Sequence, residues 1–223
     1  MKCGLLIETS TRVCSAGIYY RGKLVADKII ATDSYVHAES LMPCIHQVIE
    51  HAGISVNDLD AVILGEGPGS YTGLRIGTSL AKGICFGLSI PLYTVNSGQM
   101  FAAYAKKQVP SKTHFVTMSD AGRMEVYMAV YDQKLTCVQE HQPVILDEAL
   151  FLIEEFRDAV FVGDGIEKAS HWILQEQKIL KAQTDVRMMS LAIDFEMHDL
   201  KNISDFVPLY VKSYTPGISR NLL

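Results

Sequence analysis

Long apolar runs are missing from this 223-residue chain. The most apolar stretch, residues 79–95, carries Lys82 inside it and lacks the ~18 uninterrupted apolar residues of a spanning helix, so no membrane span is expected. No leader of export length is expected either. In MKCGLLIETST, Glu8 arrives before such an apolar segment could be completed, and a cytoplasmic location is expected. Cysteine is sparse: five thiols, at 3, 14, 44, 85 and 137, are odd in number and irregularly spaced. They fit neither a disulfide framework nor a CxxC zinc pair, and suit buried free thiols in a reducing cytosol. Aromatic residues, 9% of the chain, are scattered without the paired stacking positions of single-stranded RNA modules. Acid is absent from 67 to 119, where Arg75, Lys82, Lys106, Lys107 and Lys112 lie, so some local positive potential is expected there. The formal net charge of -5 nevertheless argues against a chain that grips nucleic acid alone. What is present, 48% apolar and 20% charged residues, excludes disorder, collagen and coiled coil and sets one large domain or two small ones.

The opening segments CGLLIET, CSAGIYY and LVADKII alternate as strands do and are separated by polar turns, which predicts a three-stranded antiparallel meander. From 35 to 52, Ala38, Leu41, Met42, Ile45, Val48, Ile49 and Ala52 recur at threes and fours, predicting an amphipathic helix stopped by Gly53. Pro43 falls inside it as a kink or a later start. AVILG, a glycine-rich turn and a helix from 73 to 88 follow. A second pass runs from HFVTM and MEVYMAVY through a strand about LTCVQEHQPVIL to a helix from 147 to 157, AVFVG and another helical stretch. AVILGEG at 61–67 and AVFVGDG at 159–165 share four of seven residues, and they set Glu66 against Asp164 at the same place in the element order. That favours an internal duplication. Two α/β subdomains, 1–105 and 106–223, are expected, divided near KKQVPSK; a helix from 188 to 200 could pack back on the first.

GEGPGSYTGLRIG is the most unusual stretch. Gly65, Gly67, Pro68, Gly69, Ser70, Tyr71, Thr72, Gly73, Arg75 and Gly77 stand between a strand and a helix, where backbone N–H groups gather to hold an anion. Known loop codes do not fit. The Walker pattern needs Lys after the last glycine and finds Leu74. The dinucleotide fingerprint needs a small residue where Thr72 stands, and an acid about twenty residues on, in a stretch that has none. Two readings stay open: glycines that permit positive φ and close helix packing, or Arg75, Ser79 and Lys82 presenting a polar stripe to a partner. Ser70 lacks the G-x-S-x-G elbow. His37, His46 and His51 are nine and five apart, which puts no two on one helical face for a metal. Asp147, Glu148, Glu154 and Glu155 read as a solvated face. No catalytic residue and no metal ligand is assigned.

Over nearly its whole length the chain resembles the TsaB family, on LLIETSTRVCSAGI, HAESLMPCI with His37, GEGPGSYTGLRIG, DAGRMEVYMAVY and VPLYVKSY. The resemblance implies an actin-like ATPase fold of the sugar kinase and Hsp70 kind, in duplicated βββαβα subdomains. It also implies a non-catalytic scaffold that binds a TsaD-like paralogue, with a TsaE-like ATPase and tRNA joining through the complex. Its role would be to support threonylcarbamoyl transfer to N6 of adenosine 37 in tRNA (t6A). ATP and metal are then expected on the partner subunits, and no cofactor on this chain. Actin-like enzymes bind phosphates on D-x-G hairpin turns. Here Glu8, Thr9 and Ser10 put side chains where bare backbone is needed, while Asp120, Ala121 and Gly122 stand in the second hairpin. The alternative is a stand-alone actin-like ATPase or kinase with a divergent phosphate site, Asp120 holding Mg2+. The partner surface is expected on the two helices of the first half, through His37, Leu41, Ile45, Val48, Arg75, Ser79 and Lys82. Gly73, Gly77, Gly83 and Gly87 would allow close approach, and without the partner the same surface is expected to pair with a second copy as a homodimer.

Overall fold

A computed structural model describes residues 1–32, 36–172, 174, 177–194 and 198–212. β1 (Cys3–Glu8), β2 (Val13–Tyr20) and β3 (Lys23–Ala31) form the expected antiparallel meander. α1 (His37–His51) leads to β4 (Ala61–Gly65), parallel to β1, and α2 (Tyr71–Leu88) leads to β5 (Leu92–Val95), parallel to β4. α3 (Ser97–Gln108) crosses to a second meander of β6 (His114–Asp120), β7 (Glu125–Asp132) and β8 (Cys137–Ile145). After α4 (Glu148–Phe151), β9 (Val160–Gly163) and β10 (Lys178–Lys181) extend that sheet in parallel. α5 (Val186–Asp194) and β11 (Asp199–Lys201) follow. The sheet orders, β11-β5-β4-β1-β2-β3 and β10-β9-β6-β7-β8, correspond strand for strand apart from β11. AVILGEG and AVFVGDG supply β4 and β9, and their registers correspond, with Val62 beside Leu5 and Val160 beside Phe115. The duplication is a property of the fold.

Alternation along the strands sorts the core into layers. Leu5, Ile7, Val62 and Leu64 face α1 and α2. Leu6 and Ile63 face the other way, into a cluster shared with Phe101 of α3, Met189 of α5, and Phe115, Val160 and Val162 of the second sheet. α3 and α5 therefore lie between the two sheets. Val116, Met118 and Phe161 face a third cluster closed by Phe151 and Phe156.

Several elements differ from expectation for physical reasons. Residue 35, the expected start of α1, lies outside the described residues; Pro43 sits inside α1 on its exposed side and the helix runs through it. β5 and α3 have no place in the expected order. The helix expected at 147–157 reduces to α4 and a 3-10 turn at Glu154–Phe156, because Ile153 between them is extended. The helical stretch expected after AVFVG is a 3-10 turn, Gly165–Ala169. The helix expected at 188–200 starts at Val186 and ends at Asp194; residues 195–197 lie outside the described residues, and 199–201 are strand. The division expected at 105/106 falls inside α3. α5 and β11 return to the first sheet, drawn there by the apolar side of α5 and by pairing of β11 with β5.

α3 is fixed at its N-terminus by one side chain that also ties the halves together. Asn96 Oδ1 accepts from Gln99 N (2.8 Å), closing a capping box, and from the buried Tyr131 hydroxyl of β7 (3.2 Å). Asn96→Ala removes a cap and leaves the Tyr131 hydroxyl without its acceptor. The expected loss, read from urea unfolding, is roughly 2–4 kcal/mol, with Asn96→Ser, which keeps the cap, losing less.

Candidate functional site

The β1–β2 turn, where the resemblance implies phosphate binding, is buried: Glu8, Thr9, Ser10 and Thr11 are at most 5% exposed. Its cover is the glycine-rich loop. Ser70 N donates to the Ser10 carbonyl (2.6 Å), the Cα of Gly69 rests on that same carbonyl, and Gly73 rests on the carbonyl of Thr9. A Cβ at either glycine would collide with backbone. Ser70 also caps α2 by accepting from Gly73 N (3.3 Å). Of the two readings of this loop, close packing within the chain accounts for Gly69 and Gly73, and Gly77 packs on the Thr9 side chain. Inside the turn, Glu8 Oε1 accepts from Ser10 N (2.6 Å) and from the Thr184 hydroxyl (3.2 Å). Ser10 Oγ lies 3.0 Å from Thr184 Oγ1 and 3.1 Å from Ser97 Oγ, so the turn, α3 and the approach to α5 share one buried polar cluster. Burial pushes the Glu8 carboxyl above the usual carboxylate range, against the lowering effect of its bonds from Ser10 and Thr184.

The second turn is exposed but internally committed. Gly122 N donates to Asp120 Oδ1 (2.6 Å), Ala121 N to the Glu125 carbonyl (3.1 Å), and Lys168 Nζ is bonded to Asp120 Oδ1 and to the Glu125 carbonyl. Asp120, the Mg2+ ligand of the alternative reading, already carries a cation from its own chain. Behind it, Asp164 accepts from Asp120 N (2.9 Å), and burial raises its pKa from the ordinary 3.8 to about 6. No group of three or more His, Cys, Asp or Glu side chains suited to a metal occurs among the described residues.

Four residues expected at the partner surface face inward instead. Leu41, Ile45 and Val48 are 1%, 2% and 0% exposed and pack under α1 against the sheet, because the apolar stripe of an amphipathic helix seeks its own core. His37, 1% exposed, donates from Nε2 to the Thr11 carbonyl (3.0 Å), with its pKa lowered by burial; it clamps α1 to the β1–β2 turn. Lys82 is half-buried and donates to the Ser204 carbonyl (3.4 Å). Arg75 and Ser79 do stand exposed, on the wall of a groove of about 670 Å³ between α1 and α2. Ala38, Met42, Ile76 and Leu80 also line it, with Leu41 reaching it from below and Tyr71 at one end. Gly73 and Gly77 turn away toward Thr9, so only Gly83 and Gly87 of the expected small-residue row meet open space.

A second depression, a cleft of about 530 Å³, lies between the glycine-rich loop, the β6–β7 turn and residues 209–212. Tyr71, Tyr127 and Tyr210 line it together with Arg123, Glu125 and Lys212. The Tyr71 and Tyr210 rings are 5.3 Å apart, Arg75 lies over the Tyr71 ring at 5.1 Å, and Lys212 Nζ bonds both Glu125 oxygens at 2.6 Å. Nothing in the sequence spacing draws these tyrosines together; Arg123 and Tyr210 fall within the quoted segments DAGRMEVYMAVY and VPLYVKSY, whose Ser213 and Tyr214 lie outside the described residues.

The raised pKa of Asp164 gives a signed expectation. Its folded-state value lies above the unfolded one, so its contribution is fully present below about pH 4 and is lost as pH rises through 6. Asp164→Asn, which keeps the acceptor for Asp120 N, is expected to remove about 2–3 kcal/mol of this decline between pH 4 and 7, measured as the difference in urea midpoints between parent and variant.

Residues 30–208 match the family model described as TsaD: tRNA N6-adenosine threonylcarbamoyltransferase. Among curated relatives, the tRNA threonylcarbamoyladenosine biosynthesis protein TsaB of Haemophilus influenzae is 32% identical over 125 residues, 56% of this chain and 52% of that protein. The protein of the same name from Bacillus subtilis is 30% identical over 167 residues, 71% of this chain and 69% of that one. The chain spans about half the length of the first curated relatives it matches. A crystal structure from Pseudomonas aeruginosa, described as an uncharacterized protein with similarity to peptidase YEAZ, superposes with a TM-score of 0.76 at 22% identity, covering 95% of this chain and 100% of that one. That likeness establishes the fold, a duplicated α/β architecture of two sheets. The chain belongs to the TsaB family, within the wider group that the threonylcarbamoyltransferase model describes.

Proposed function

We propose that this chain is a non-catalytic subunit of t6A biosynthesis. It binds a TsaD-like paralogue, with a TsaE-like ATPase and tRNA joining the assembly, and supports threonylcarbamoyl transfer to N6 of adenosine 37; ATP and metal bind the partner subunits. The observation that carries this reading is the sealed β1–β2 turn. A phosphate there would have to displace the glycine-rich loop and approach a buried carboxyl, and both cost more than a surface anion site returns. The α1–α2 groove supports the partner half of the proposal, since it is largely apolar, open and rimmed by Arg75 and Ser79. In the absence of the paralogue, a second copy of the chain takes the same groove.

Depleting this chain in its own cell tests the function: the t6A nucleoside in bulk tRNA is expected to fall while other adenosine modifications hold, and normal t6A would refute the reading. The surface is tested by Met42→Glu with Ser79→Glu, both at exposed positions. Capture of the TsaD-like paralogue is expected to weaken at least tenfold, because a carboxylate must be desolvated in an apolar groove, with the unfolding midpoint unchanged. Calorimetry of the isolated chain with Mg-ATP is expected to show no micromolar binding and no steady hydrolysis. Either one would favour the stand-alone ATPase instead.

A further inference from the structure

The cleft between the glycine-rich loop and the β6–β7 turn is not used by the partner reading, and its chemistry is specific. Three tyrosines line it: Tyr71 and Tyr127 are half-buried, the Tyr71 ring packing on Tyr210 and under Arg75, while Tyr210 is 40% exposed and offers a π face to a ligand. Arg123 stands exposed at the hairpin turn, and its guanidinium has no partner among the described residues. Lys212 is held at the opposite side by Glu125. Rings beside separated cations suit a planar base joined to a phosphate. The number of phosphates is limited by what surrounds them. The turn offers no amide cradle at Ala121 or Gly122, whose N–H groups are bonded to the Glu125 carbonyl and to Asp120. Asp120 is bonded to Lys168 and Glu125 adds a negative charge to the wall, so a triphosphate with its metal is poorly served. One singly charged phosphodiester matches the exposed cation of the lining, Arg123, since Lys212 is paired with Glu125.

We propose that this cleft binds a nucleotide unit of a single-stranded RNA, its base against the exposed ring of Tyr210 and its phosphodiester on Arg123. The choice of RNA over DNA rests on the t6A reading; the rest stands on the cleft alone. The chain thus contacts the nucleic acid directly, although its net charge is negative. The contact is confined to a few side chains contributed by segments far apart in sequence.

The test is fluorescence anisotropy of the full chain with a labelled single-stranded oligoribonucleotide, roughly a dozen nucleotides long to span the usual site sizes, titrated over several salt concentrations. Tyr210→Ala is expected to weaken binding about fivefold or more, the lower end of the loss per stacked base. Arg123→Glu is expected to weaken binding and to lower the slope of log affinity against log salt by roughly 0.7, the loss of one single-strand phosphate contact. Both positions are solvent-facing, and unchanged thermal unfolding confirms that the fold is intact. No binding by the parent chain, or parent-like affinity and slope in both variants, overturns the proposal. Displacement of the strand by micromolar AMP overturns it in favour of a small-nucleotide site, and equal affinity for the deoxy strand overturns the choice of RNA. Capture of the TsaD-like paralogue by Arg123→Glu is expected to stay at the parent level, and RNA affinity of Met42→Glu with Ser79→Glu likewise, so failure of this proposal and failure of the partner reading are separate results.

Discussion

The structure depends on the burial of one hairpin turn. Glu8 lies wholly inside it, and every donor it uses comes from the chain: Ser10 N from the turn itself and the Thr184 hydroxyl from the segment that leads into α5. Both donors reach Oε1, while Oε2 is buried without a hydrogen-bond partner among the described residues, so the turn carries a polar cost and the elements that meet or cover it must hold their places together. The glycine-rich loop sits on the turn because Gly69 and Gly73 carry no Cβ; α2 starts where it does because the same loop ends in the Ser70 cap; α1 is tied down by His37. Once the turn is closed in this way, the helices of the first half are fixed with their other sides outward, and a groove remains between them.

Packing between the sheets follows from the same arrangement. Ser97, the first residue of α3, donates from its hydroxyl to the Pro68 carbonyl (3.0 Å) and from its N–H to the Gly67 carbonyl (2.7 Å), so the loop that covers the turn also sets the start of α3. α3 then buries Met100, Phe101, Ala102, Ala103 and Ala105 between the sheets, and α5 adds Val186, Met189 and Ala192 from the other end of the chain. The two halves are thereby joined through helices wedged across their facing sides.

The meander, α1, α2 and the paired strands β4 and β9 were legible because their apolar residues keep period two or period three to four, with glycine at the breaks. α3 was not, for a helix covered on nearly all sides has no polar face to reveal its period, and β5 is four residues long. The same logic explains the misplaced partner residues. Periodicity in α1 identifies Leu41, Ile45 and Val48 as one face, but that is the face the chain keeps for its own core, and the surface is what the pattern leaves out: Ala38 and Met42. The cations of the acid-free stretch from 67 to 119 sit at different places in the fold: Lys82 bonds the Ser204 carbonyl, Lys112 bonds Asp158, Lys106 and Lys107 stand in the last turn of α3, and Arg75 borders the groove and Tyr71. The tyrosines of the cleft, at 71, 127 and 210, were read as scattered. In the chain they are; only the fold brings them to one place.

Duplication sharpens what has happened to the ligand positions of such a fold. The acids that follow the central strands, Glu66 after β4 and Asp164 after β9, occupy corresponding places, and each has partners within the chain. Glu66 accepts from the Thr94 hydroxyl (2.8 Å) and pairs with Lys201 of β11 (3.4 Å), a strand with no counterpart in the second sheet. Asp164 is turned into the second hairpin, where it accepts from Asp120 N while Asp120 takes Lys168. In each half the acid is met by donors of the same chain. Removing one of these donors would leave a carboxylate unpaired at a cost of about 1–3 kcal/mol, so retaining the fold and reopening a phosphate or metal site are opposed demands on the same residues. The groove and the cleft, by contrast, meet at Tyr71, which lines both, so the two outward surfaces are adjacent on the glycine-rich loop and the start of α2.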